Sequence, residues 1–239
     1  MHPSATYHTF IADSSDAPEL AKRVFAQTFR TDFTAPGFSL LTFAGPITSQ
    51  ELRAYMVALK QELDAIVHAR SGKRLVYQSM ARFNQQVTTK FHLDGAPAEA
   101  FLMLGYEPSE VASSLAMADY SLAAWKLGIT PAEFVRDHNP MYASGARLLE
   151  GAITPLASFD SSQSNILVIN NSCLPFDEAK MNLLGVMHQA TIPQPDAAKN
   201  RIINSTMLRI AASLNEEAVT AAQQQDYIAT SAISGPSAY

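Results

Sequence analysis

The chain has 239 residues, 47% of them hydrophobic and 16% charged, enough for one large domain or two small ones with a substantial buried core. Its net charge of −5, with no basic run longer than pairs such as Lys22-Arg23 and Lys73-Arg74, argues against nucleic acid as a partner. Cys173 is the single cysteine, so an intrachain disulfide is impossible and any metal must be held by imidazole and carboxylate. No apolar run approaches the roughly 18 to 20 residues needed to cross a bilayer, and Met1-His2-Pro3-Ser4 lacks a basic segment followed by an apolar one. A soluble, cytoplasmic protein without membrane association is expected.

In chain order, Tyr7 to Ile11 alternates like an edge strand. Asp16 is placed to cap a helix that tolerates Pro18 in its first turn and runs to about Phe29. A strand follows at Phe38 to Phe43. Thr48-Ser49-Gln50-Glu51 then reads as a capping box, and Leu52, Met56, Leu59, Leu63 and Ile66 recur at helical spacing out to about Ala69. After the turn at Ser71-Gly72-Lys73 the pattern becomes β: Arg74 to Met80, Phe83 to His92, Phe101 to Tyr106, Ile166 to Asn170, Leu184 to Ile192 and Arg201 to Ile210. Between the third and fourth of these, residues 109–160 form an insertion whose pieces read as helices at Tyr120 to Leu127, from Thr130, and from Ala146 to Ala157. Asn215 to Ile228 is again helical, and Ser231 to Tyr239 reads as a frayed tail. The expectation is one α+β domain over residues 1–239, mainly β, with a sheet packed against flanking helices.

Thr88-Thr89-Lys90-Phe91-His92-Leu93-Asp94-Gly95 is the chemically distinctive stretch. On an extended segment His92 and Asp94 project to the same side, about 7 Å apart at the backbone, within reach of one metal ion. His188 sits in a second apolar strand late in the β region, followed by a Pro-containing turn and then Arg201. Two imidazoles and one carboxylate on one face of a metal leave three adjacent positions open, as in non-haem Fe(II) oxygenases. His138 is the alternative third ligand. An ordinary hydrogen-bonded pair at a strand end is the structural alternative for His92 and Asp94, and a satisfied core histidine for His188. His68, closing a helix, has an electrostatic role there, and Trp125 is expected in the core.

The series His92-x-Asp94, His188, Arg201 resembles the Fe(II)/2-oxoglutarate-dependent dioxygenases, with spacing most similar to the taurine dioxygenase and phytanoyl-CoA hydroxylase branches. The resemblance covers about residues 83–210. It implies a double-stranded β-helix (jelly-roll, cupin-like) core at about 74–210, flanked by N-terminal helices, the helical insertion and a C-terminal helix. It implies Fe(II) held by His92, Asp94 and His188, and 2-oxoglutarate as co-substrate with its far carboxylate on Arg201, whose planar fork suits a bidentate contact. Ser205, Asn84 and Gln86 are candidate contacts to 2-oxoglutarate or substrate. Arg209 is the rival anchor, but on a strand it stands about 26 Å from Arg201, so only one of them can serve. The family's Arg-x-Ser pairing is absent, since Ile203 holds its second position.

The presence of Asp94, which halogenating relatives replace with a small residue, favours hydroxylation. The activity implied is hydroxylation of a small molecule, amino-acid-derived or carboxylate, by O2, coupled to decarboxylation of 2-oxoglutarate to succinate. A cupin-like binding or scaffold protein with a vestigial site, and a zinc hydrolase on the same residues, are the alternatives. A homo-oligomer is compatible with the sequence. Nucleophile-elbow, phosphate-loop and dinucleotide-turn motifs are absent.

Overall fold

The computed structural model describes residues 6–12, 17–174 and 183–233. The cap expected at Asp16, the N-terminal tetrapeptide and most of the C-terminal tail lie outside them. Strand β1 (Thr9–Ala12) leads to helix α1 (Ala17–Thr28), β2 (Phe38–Phe43) and α2 (Ser49–Ser71). The long helix starts where the sequence indicates: the Thr48 hydroxyl accepts from Glu51 N–H, and the Glu51 carboxylate accepts from Thr48 N–H. It stops at Gly72, whose φ of 70° lets its N–H return to the His68 carbonyl.

The β region comprises β3 (Arg74–Asn84), β4 (Ala100–Tyr106), β5 (Ser114–Ala118), β6 (Ile153–Pro155), β7 (Asn165–Asn170), β8 (Met187–Thr191) and β9 (Ile202–Ala211). Helices α3 (Tyr120–Leu127), α4 (Pro131–Asp137) and α5 (Ala143–Leu148) stand between β5 and β6, and α6 (Ala221–Ala229) follows β9. A six-stranded sheet has the order β1-β2-β7-β4-β9-β3, and a three-stranded sheet the order β6-β5-β8. The two sheets face each other. Leu102, Leu104, Leu167, Ile169, Ile203 and Met207 of the large sheet pack on Leu115, Met117 and Ala190 of the small one. The alternate residues Phe101, Met103, Ile166, Val168 and Leu208 pack on the apolar stripes of α1 and α2. Sheets covered on both faces explain why β4 and β7 are buried throughout and read as continuous apolar runs.

From β3 onward the chain alternates between the layers. It passes from β3 to the segment that bridges β8 at His92, then to β4, to β5 and β6, to β7, to β8 and to β9. This is the winding of a double-stranded β-helix, and it produces the mainly β, α+β jelly roll that the resemblance implied. In detail the structure departs from the sequence pattern. Arg74 to Asn84 is one strand with an irregularity between Tyr77 and Ser79, and residues 85–91 belong to no strand. The stretch read as purely helical contains β5 and β6, too short to show a period. The helix expected from Ala146 to Ala157 ends at Leu148 and passes through a 3₁₀ turn into β6. Trp125 is 46% exposed rather than in the core. Helices α3 to α5 bury Tyr120, Phe134 and Leu149 against Phe91 and Met187, the residues immediately preceding His92 and His188.

Candidate metal centre

Beyond β3 the chain runs beside β8 without forming a regular ladder. The Thr89 N–H donates to the Ala190 carbonyl at 2.9 Å, and the Thr88 hydroxyl accepts from Ile192 N–H at 2.9 Å. The segment ends in a reciprocal pair: His92 N–H donates to the His188 carbonyl at 3.2 Å and His188 N–H to the His92 carbonyl at 3.1 Å. Residues that exchange both backbone bonds lie directly opposite each other, so the two imidazoles meet side by side, with ring centres 4.3 Å apart. Asp94 is held by Asn171, whose side-chain oxygen accepts from Asp94 N–H at 3.1 Å and whose amide donates to the Asp94 carbonyl at 2.9 Å.

These constraints bring one ligating atom from each of His92, Asp94 and His188 within 4.8 Å of one another. Asp94 Oδ1 lies 3.3 Å from His92 Nε2 and 3.9 Å from His188 Nε2. His92 Nδ1 is 2.7 Å from the Lys90 carbonyl, which accepts only, so this nitrogen carries a proton. In the neutral ring the Nε2 lone pair therefore faces a carboxylate oxygen, an arrangement that calls for a cation between them. Burial lowers the His92 pKa, but the bonds to Asp94 and to the Lys90 carbonyl outweigh it and the net shift is upward. Burial alone would raise the Asp94 pKa; the His92 hydrogen bond and both histidines hold it below the ordinary value. Burial and the neighbouring His92 push His188 down to about 4, so its imidazole is neutral at ordinary pH. His188 Nδ1 is buried without a partner among the described residues.

The three side chains open into a cavity of about 730 Å³, whose wall also includes Phe83, Asn84, Gln85, Gln86, Lys90, Leu104, Tyr106, Met141 and Ile203. Behind Tyr106 lies Arg201, 2% exposed, with its guanidinium carbon 5.3 Å from the ring centre. Arg201 Nε donates to the Ser113 hydroxyl at 3.0 Å, and one terminal nitrogen donates to the carbonyl and the side-chain oxygen of Gln85, each at 3.0 Å. The other terminal nitrogen is buried and unpartnered among the described residues. Burial lowers this guanidinium's pKa against the opposing effect of the Tyr106 hydroxyl beside it, and among the described residues no carboxylate pairs with it. Such a donor is costly unless a ligand completes it.

The remaining predicted residues divide. Asn84 lines the cavity, but its oxygen accepts from Arg201 N–H at 2.9 Å and its amide donates to Asn200 at 3.0 Å, so it orients the start of β9. Gln86 also lines the cavity while its amide donates to the Asp196 and Lys199 carbonyls, bracing the turn before Arg201. Ser205 shares a face of β9 with Ile203 and Met207 but is not part of the cavity wall. Asn204 points the other way, to Gly105 and Glu107. Arg209 pairs with Glu216 at 3.0 Å near the far end of β9, and His138 closes α4. The supports Gln85, Ser113 and Asn171 carried no sequence signal beyond being polar; only their partners reveal them.

No family model matches this chain, and no curated protein matches its sequence. Among solved structures it is similar to the non-heme iron oxygenase OrfP in complex with Fe, succinate and (3R,4R)-dihydroxy-L-Arg, at 9% identity over 87% of this chain and 85% of that one, TM-score 0.48. The same oxygenase with Fe matches at 10% identity over 92% and 99% of the two chains, TM-score 0.46. The iron and alpha-ketoglutarate-dependent endoperoxidase NvfI matches at 12% identity over 89% and 96%, TM-score 0.37.

Proposed function

We propose that this chain is an Fe(II)- and 2-oxoglutarate-dependent oxygenase that hydroxylates a small molecule, with His92, Asp94 and His188 as the iron ligands and Arg201 as the co-substrate anchor. The observation that carries the reading is an open two-histidine, one-carboxylate cluster in the wall of a cavity, with a buried guanidinium behind the wall residues Tyr106 and Gln85 that keeps one terminal nitrogen without a hydrogen-bond partner among the described residues. The donor set fits iron: two neutral imidazoles and one carboxylate on one side leave the cavity side open. Bound iron with 2-oxoglutarate supplies an oxidant from O2 as the co-substrate loses CO2 and becomes succinate.

The chain's own residues do the rest. The Lys90 carbonyl fixes the tautomer of His92, and Asn171 fixes the backbone of Asp94, so the ligands are arranged before any ion arrives. Gln85 and Ser113 hold the Arg201 fork with one terminal nitrogen unspent, a charged donor suited to a carboxylate oxygen. Phe83, Leu104 and Ile203 exclude water around the site. A zinc hydrolase could use the same three ligands, but it has no need of a buried, half-satisfied arginine. The order and spacing of the motif are most similar to those of the taurine dioxygenase and phytanoyl-CoA hydroxylase branches, near which we would place the chain.

The test is spectroscopic. Fe(II) and then 2-oxoglutarate, added without oxygen, should give a visible metal-to-ligand charge-transfer band in the wild type. His92→Ala should abolish it, and Arg201→Gln should require at least tenfold more 2-oxoglutarate. Folded, iron-loaded wild type without a band would overturn the reading.

A further inference from the structure

The cavity's charge distribution bears on what else enters it. Among the described residues Asp94 is the single carboxylate in its wall, and it belongs to the candidate metal cluster. Among the described residues Lys90 is the single lysine or arginine in the wall, and it has no carboxylate partner there. Its Nζ donates to the Met141 carbonyl at 2.6 Å, reaching from the segment beside β8 to the turn after α4. An ammonium carries three donors, so two remain to face a ligand. Once 2-oxoglutarate occupies the metal and Arg201, Lys90, solvent-exposed and two residues from His92, is the remaining lysine or arginine among the described residues of a wall that also includes the apolar side chains of Phe83, Leu104 and Ile203.

We infer that Lys90 is a specificity-determining residue, and that the substrate is a small monocarboxylic acid with an apolar body whose carboxylate binds Lys90 Nζ. A cationic substrate would meet Lys90 with no counter-charge free to receive it. A phosphate ester would find one point charge, without a second cation or a glycine-rich nest among the wall residues. This inference rests on the proposed function, because 2-oxoglutarate must already hold the metal and Arg201.

The test uses the Zn(II)-loaded protein, saturated with 2-oxoglutarate so that added carboxylates cannot simply chelate the ion. Matched sets are titrated by calorimetry: 4-methylpentanoate and 3-phenylpropanoate, their primary amides, and the amines that replace the carboxylate with an ammonium. The wild type should bind at least one acid tenfold or more tightly than its amide and amine. Lys90→Met should erase the difference between acid and amide, and Lys90→Glu should turn the preference toward the amine. An acid preference that survives in Lys90→Met, a wild type that prefers the amide or amine, or no binding of either acid would overturn the inference. 2-Oxoglutarate is titrated first: a wild type that fails to bind it overturns the oxygenase reading, whereas normal binding of it without acid preference overturns the Lys90 assignment alone.

Discussion

At the scale of single residues, the site is governed by where protons sit before a metal arrives. The upward shift at His92 arises because its Nε2 faces Asp94 Oδ1 at 3.3 Å, so a proton occupies the gap a metal would fill. His188, pushed down to about 4 by burial, has no proton to give up near neutrality. Metal binding near neutrality should therefore release protons from His92 and none from His188, at most one per ion rather than two. A raised pKa means the protonated form persists to higher pH, so apparent zinc affinity should fall as the pH drops through the His92 value. Calorimetry in buffers of different ionisation enthalpy measures both, and His92→Ala should remove the proton release along with most of the affinity. The His-x-Asp spacing was readable because an extended backbone aims i and i+2 together. The tautomer was not, because it depends on one carbonyl whose direction only the folded segment sets.

At the scale of elements, the strand carrying His188 is positioned from its entry side. Arg30, buried, donates to the Leu184 carbonyl at 2.9 Å and to both oxygens of Asp119 at 2.7 and 2.6 Å, while the Ser121 hydroxyl holds the Gly185 carbonyl at 2.8 Å. Asp119 is also the N-cap of α3, accepting from Leu122 N–H at 3.0 Å. One carboxylate thus ties the helical insertion to the lead-in of β8. Asp119→Ala leaves a buried guanidinium unpaired and is expected to cost about 3 to 5 kcal/mol in urea unfolding. Asp119→Asn, which keeps the cap, should cost less. Gly185 belongs to the same joint: a Cβ there would lie 2.1 Å from the Ser172 carbonyl oxygen, a contact with backbone that cannot yield. The helices α1 and α2 were legible as periodic apolar stripes between recognisable caps. β5 and β6 were not, since runs of three to five residues at either end of the helical insertion show no period and become strands only through their partners.

Across the whole molecule, a buried polar knot joins α2, β3, β4 and the C-terminal segment. Arg53 donates to the Ile228 and Thr230 carbonyls, each at 2.8 Å, and Arg82 to the Ser231 carbonyl at 2.9 Å. Both arginines face Glu107, at 3.5 and 3.1 Å. Burial alone would raise the Glu107 pKa, but Arg82, Ser49 and Asn204 hold it below the ordinary value. A depressed carboxylate stabilises the fold above its unfolded pKa, and that contribution is lost as pH falls through the folded one. Glu107→Gln should therefore lower stability by about 2 kcal/mol near neutrality and flatten the acid limb of a pH series of urea midpoints. The sequence by itself determined the mainly β character and the long capped helix, and it singled out a His-x-Asp, His, Arg series whose residue types suit metal binding. Those depend on local geometry and on the identity of side chains. Only the tertiary structure decided that His92 and His188 are opposite partners across two segments, that Arg201 rather than Arg209 is buried behind the cavity wall, and that Lys90 is the one lysine or arginine of that wall among the described residues. Each of these is set by which distant segments pack together, and the sequence spacing carries no record of it.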